Sequence, residues 1–214
     1  MVQWRIAELA DAVEAGLRTR ASADDAEQAV YGFDTLDELG LHPLIQQALR
    51  AAGYGVWPEQ RYPDDWQRIK RSEGKRCDIV LTPDRLPFRD PQLRNTIFDV
   101  MEAVDAGQAY WLEIKTVAQF EKEGAFRRYC AELLKPVAED VRKLWEDVII
   151  RHGGLLLVLF TAGQEVAEHD LVAWHERCIQ RGLPVGAPAV RGFEIADRVG
   201  NNWCATALFP VRGG

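Results

Sequence analysis

Residues Leu155–Phe160 read LLLVLF, six apolar residues in a row with no polar alternation. A strand with one wet face alternates apolar and polar side chains, whereas a strand buried on both faces does not. The run is strand-sized, far short of the roughly 20 residues a membrane helix needs. It is therefore expected at the centre of a sheet covered on both sides. Helical spacing elsewhere supplies the cover. Ile6, Ala10, Val13 and Leu17 predict a helix over 4–17, with polar 22–28 as a loop or the start of another helix. Leu36, Leu41, Leu44, Ile45, Ala48, Leu49 and Ala52 predict a second, ending at Gly53, with Pro43 marking its first turn or a kink. Phe126, Cys130, Leu133, Val137, Val141, Leu144 and Val148 predict a long helical region over 124–152. Pro136 kinks or divides it, and Gly153-Gly154 closes it. A further helix is expected over 165–181.

The other strands are shorter or interrupted. Residues 54–62, YGVWPEQRY, carry Pro58 and so suit an edge or a bulge. CDIVL, 77–81, is stopped by Thr82-Pro83, and AYWLEIKTV, 109–117, is a core-type strand. The tail 193–209 predicts a hairpin turning at Gly200-Asn201-Asn202. Between the second and third strands, 82–108 read as an irregular insertion with a helical patch over 97–104. The order is α-α-β-β-β-α-β-α-β-β: an α/β chain with a mixed central sheet flanked by helices, an extra N-terminal helix and a C-terminal β-hairpin. At 214 residues a single domain is expected, and 47% hydrophobic content excludes a disordered chain. Acidic residues in the first sixteen positions disfavour a signal peptide, so a soluble, cytoplasmic protein is expected.

Motifs exclude several chemistries. There is no GxxxxGK[ST] or GxGxxG loop, and the two serines, Ser22 and Ser72, lie outside any GxSxG elbow. None of the four histidines forms HExxH, and surface or capping roles are the default for them. None of the four cysteines forms CxxC, so reduced, partly buried thiols are expected.

What remains is acidic. Glu113 and Lys115 sit two apart in AYWLEIKTV and so share a face with Trp111 and Val117, which argues against a merely exposed ion pair. In CDIVL, Cys77, Ile79 and Leu81 are expected on one face and Asp78 on the other. If the two strands are neighbours, Asp78 and Glu113 converge. Carboxylates that close repel unless a cation lies between them. Oxygen ligands suit Mg²⁺ or Mn²⁺, and Lys115 would bring positive charge to a phosphoryl group under attack by water.

Asp78 followed on the next strand by Glu113-Ile114-Lys115 resembles the PD-(D/E)xK nuclease superfamily, the restriction-endonuclease-like fold. The resemblance covers about residues 35–160, an α-β-β-β-α-β core. It implies that Asp78, Glu113 and the Ile114 carbonyl hold Mg²⁺ (or Mn²⁺), and that Lys115 orients or activates the attacking water. It also implies a glutamate on the first core helix. Glu38 is the candidate, against a rival reading as a capping box begun by Thr35. His42, one turn on, and Glu59, which shares a face with Arg61, are further candidates. The chain departs from the motif at Cys77, where the family carries proline, and in the 35 positions separating Asp78 from Glu113.

The expected function is therefore metal-dependent hydrolysis of DNA, with nucleic acid as partner, no membrane, and a homodimer left open. A net charge of −7 favours the alternative, a catalytically silent binding or regulatory module with a protein or nucleic-acid partner. Basic residues in 68–76, together with Arg127 and Arg128, are the candidate phosphate contacts, and Trp66 the candidate stacking residue. Lys135, Asp140 and Lys143 read as a solvated helix face, and Trp111 and Trp145 as core.

Overall fold

A computed structural model describes residues 3–66, 74–89, 96–97, 100–134 and 136–212, with the backbone alone at 134, 136, 137 and 212. Its centre is a mixed six-stranded sheet in the order β1-β2-β3-β6-β8-β7. These strands are β1 (Gly55–Arg61), β2 (Arg76–Thr82), β3 (Tyr110–Ala118), β6 (His152–Thr161), β7 (Ala189–Glu194) and β8 (Trp203–Arg212). β3 and β6 run parallel, and every other neighbouring pair is antiparallel. A separate small hairpin, β4 (Phe120–Glu121) with β5 (Gly124–Ala125), follows β3.

LLLVLF is the middle of β6. Its side chains divide between two cores, as period-two alternation requires. Leu156, Val158 and Phe160 pack with Leu9, Val13 and Leu17 of α1 (Ile6–Ala26) and Leu41, Ile45 and Leu49 of α2 (Glu38–Ala51). Leu155, Leu157 and Leu159 pack on the opposite side with α3 (Tyr129–Leu134), α4 (Pro136–Glu146) and α5 (Gln164–Gln180). α1 and α2 touch closely at Gly16, where an added Cβ would lie 2.3 Å from the Ala48 Cβ.

Several elements differ from expectation. α1 continues through the polar 22–26, where the buried Asp24 pairs with Arg20 one turn back and accepts the Phe33 amide. Pro136 divides rather than kinks the long helical region, standing at the first position of α4, where its missing amide proton costs nothing. Gly153 and Gly154 do not close a helix. They lie in β6, where a Cβ at Gly154 would meet the Tyr110 hydroxyl at 2.3 Å. The described part of 97–104 is not helical, and Val104 bridges instead to Phe88. The C-terminal hairpin is present, with β7 beginning at Ala189, ahead of the expected start. Trp111 is fully buried, but Trp145 is 48% exposed. The two arginines Arg127 and Arg128 are exposed and precede α3. Most of the basic stretch 68–76, and Lys135, lie outside the described residues.

β1 is an edge strand, as Pro58 suggested. Glu59 takes a left-handed φ of 54° there, its carbonyl accepts from the Arg76 guanidinium, and the Pro58 carbonyl accepts from the Gln60 amide. Among the described residues, no helix is long and apolar enough to cross a membrane.

Candidate active site

β2 and β3 pair over three residues, Leu81 with Tyr110, Val80 with Trp111 and Ile79 with Leu112, and then part. Continued, the ladder would set Asp78 opposite Glu113 and Cys77 opposite Ile114. Instead the Asp78 carboxylate accepts the Ile114 amide at 2.7 Å, in place of a backbone carbonyl of β2. The alternation expected for CDIVL breaks at this point. Cys77 joins Val80 in the α4–α5 core rather than sharing a face with Ile79 and Leu81, and its thiol donates to the Leu112 carbonyl at 3.3 Å. Burial pushes that thiol well above its usual range, with Glu113 and Asp78 adding to the effect, so it stays protonated.

Five elements bring charged side chains to this fork. Glu113 of β3 is 2% exposed and accepts from the Tyr62 hydroxyl. The Asp78 carboxyl group lies close enough to Glu113 for each to shift the other's proton affinity. Burial raises both carboxyl groups above their usual range. The neighbouring Asp78 and Asp140 push Glu113 higher still, while the hydrogen bond from the Ile114 amide and the proximity of Glu113 partly offset the rise at Asp78. Burial and the adjacent charge also hold the Tyr62 phenol protonated, as a donor.

Lys115 lies beyond Glu113 on β3 and pairs with Glu38 of α2 at 2.9 Å. The capping-box reading of Glu38 does not hold. The residue that caps α2 is Asp37, whose carboxylate accepts the Gly40 amide at 2.8 Å, and Thr35 instead bonds to Gly32 in the preceding turn. Glu38 is thus the first residue of the helix, free to reach across to the sheet. One turn on, His42 is 6% exposed, contrary to a surface role, and faces Asp78. The side-chain ligand atoms of His42, Glu59 and Asp78 all lie within 4.8 Å of one another.

Asp140 and Lys143 of α4 were not legible as site residues. They form an ion pair at 2.6 Å and are only partly exposed. Burial raises the Asp140 carboxyl, which also feels Lys143, Lys115 and Glu38. Lys143 faces Glu113 and Asp78. The periodicity of α4 places Asp140 and Lys143 next to the apolar Val141 and Leu144, and that position at the border of the apolar face is the one sequence signal that they line the sheet. In all, five carboxylates (Glu38, Glu59, Asp78, Glu113, Asp140) meet two lysines and one histidine. Of these, His42, Glu59 and Asp78 bring their ligand atoms within 4.8 Å of one another, a spacing that a single divalent cation could share.

Beside Lys115 opens a cleft of about 400 Å³, reached from α2, β3 and the β4–β5 hairpin. Its charged lining is mostly acidic, including Asp37, Glu121, Glu123 and Glu132, with Lys115 and Lys122 as the basic members. Comparison with protein-family models, with curated proteins and with solved structures finds no match to the chain.

Proposed function

We propose that the chain is a metal-dependent phosphodiester hydrolase acting on nucleic acid, DNA in the first instance, on a restriction-endonuclease-like core. The observation that carries this reading is the convergence of Asp78 and Glu113 at the fork of β2 and β3, with Lys115 next along the same strand. The antiparallel β1-β2-β3 unit joined in parallel to β6 supports the fold assignment.

Asp78 and Glu113, with the Ile114 carbonyl that faces the parted strand, would hold Mg²⁺ or Mn²⁺. When bound, such a cation supplies Lewis-acid polarisation of the phosphoryl group. The protein's own groups do the rest. Tyr62 fixes the Glu113 carboxylate by donating to it. Lys115, held by Glu38, presents its ammonium to the attacking water and to the charge that builds on the phosphoryl oxygens. Lys143, held by Asp140, adds a second positive charge near the carboxylate pair.

The test is cleavage of a panel of single- and double-stranded DNA and RNA with Mg²⁺ or Mn²⁺, comparing wild type with Asp78→Asn and Lys115→Met. Cleavage by wild type that both substitutions abolish is expected. Cleavage indifferent to both would remove the site. The acidic cleft beside Lys115 favours a second reading, in which the same fold binds a protein partner without cutting. A wild type silent on every substrate supports that reading.

A further inference from the structure

We infer that His42, Glu59 and Asp78 form a second divalent-cation site, one that prefers Mn²⁺ or another transition metal to Mg²⁺. It shares Asp78 with the proposed hydrolytic pair but does not rest on that reading.

Three elements supply one ligand each: α2 gives His42, β1 gives Glu59 and β2 gives Asp78. Their ligand atoms lie within 4.8 Å of one another, close enough for one ion to touch all three after small side-chain shifts. His42 supplies the independent observation. It is 6% exposed, and its Nε2 has no hydrogen-bond partner among the described residues. A buried imidazole nitrogen left in this state, facing a carboxylate, fits a metal ligand.

The backbone holds the other two ligands in place. Glu59 sits at the one step where the β1–β2 pairing lapses, between Pro58–Ile79 and Gln60–Cys77. The left-handed φ there belongs to a residue that is not glycine. Arg76 anchors the Glu59 carbonyl. The Ile114 amide anchors Asp78 through one oxygen, Oδ2.

The donor set decides the metal. One imidazole nitrogen with two carboxylates suits Mn²⁺, Fe²⁺, Co²⁺ or Zn²⁺, whereas Mg²⁺ favours oxygen alone. Sharing Asp78 would place this ion next to one bound by Asp78 and Glu113, the arrangement that serves attacking and leaving oxygens in two-metal hydrolysis.

The experiment uses the full chain with MnCl₂ and no substrate. Pulsed electron paramagnetic resonance reads nitrogen coupling to bound Mn²⁺, and titration of the free-ion signal reads affinity. Wild type should show the nitrogen coupling, and His42→Gln should lose it. The surface substitution Glu59→Gln should keep the coupling but weaken binding by no less than the roughly tenfold that loss of an outer-shell partner costs. Glu113→Gln should retain the coupling. Absence of Mn²⁺ binding, bound Mn²⁺ without nitrogen coupling in wild type, coupling that survives His42→Gln, or its loss in Glu113→Gln would each overturn the site. Because no substrate is present, nitrogen coupling in a chain that cuts nothing supports this site while counting against hydrolysis.

Discussion

The Asp78 carboxylate takes the Ile114 amide at 2.7 Å, so a side chain stands where the β2 backbone would otherwise continue the ladder. This one substitution of partner opens the sheet at the site. It also ties Asp78 to the residue that follows Glu113, so the two carboxylates cannot drift apart without breaking a partly buried hydrogen bond.

Removing either charge at the pair should separate chemistry from folding. Glu113→Gln keeps an acceptor for Tyr62, and Asp78→Asn keeps one for Ile114, while the repulsion between them falls. Cleavage is expected to drop by at least about 10²-fold, the scale of losing one electrostatic stabiliser. The thermal midpoint without divalent cations is expected to hold or rise. Scanning calorimetry in EDTA, beside a cleavage assay, checks both.

Stability should fall with rising pH when no cation is present. Burial first, then Asp78 and Asp140, makes the folded chain hold the Glu113 proton more tightly than the unfolded chain does. The native state therefore binds more protons, and unfolding free energy decreases as pH rises. The contribution is complete below the ordinary glutamate value of 4.5 and is lost as pH climbs through the higher folded value. Asp78 and Asp140 shift the same way. Thermal melts in EDTA from about pH 5 to 8 should decline, and Glu113→Gln should flatten the decline. Divalent-cation affinity should run the other way, rising with pH as the proton is displaced.

Tyr62→Phe removes the hydroxyl that lowers the Glu113 proton affinity. Cation binding at neutral pH should weaken, and the alkaline shift of the activity profile should grow. A profile identical to wild type would mean that Tyr62 is packing only.

Lys115 and Glu38 are expected to be unequal. Lys115→Met removes the ammonium and should abolish cleavage. Glu38→Gln leaves it in place but unanchored, and should lower kcat with little change in KM. Both side chains are partly exposed, so either loss should cost stability no more than about 1 kcal/mol.

Gly16→Ala should destabilise, although helix propensity alone favours alanine by up to about 1 kcal/mol. The new Cβ would meet Ala48 at 2.3 Å and force α1 off α2. Overpacking of this kind costs about 1–3 kcal/mol, measurable by urea denaturation.

The layers of the fold were legible because two strands each admit only one environment, one by its unbroken apolar run and one by its proline. LLLVLF had to be central, and Pro58 had to be at an edge. The meeting of Asp78 with Glu113-Ile114-Lys115 followed from strand parity once the strands were neighbours. The rest depended on geometry that parity does not carry. Cys77 changed faces because period two fails where Asp78 leaves the ladder. Thr35 and Asp37 are both good caps, and only the intervening tight turn decides for Asp37, which frees Glu38. Asp140 and Lys143 looked like a wet face because they border the apolar stripe of α4, and which border turns toward the sheet depends on packing that the helix's own sequence does not carry.

The rim of the sheet at β1 has a consequence for self-association. Pro58 has no amide proton, and the carbonyls of Pro58 and Glu59 are already occupied by Gln60 and Arg76. A second copy docking strand to strand would find this border interrupted at its midpoint, with no continuous row of donors and acceptors to template it. This border is thus closed to runaway, amyloid-like stacking by the same two-residue irregularity that sets the Glu59 carboxylate beside His42.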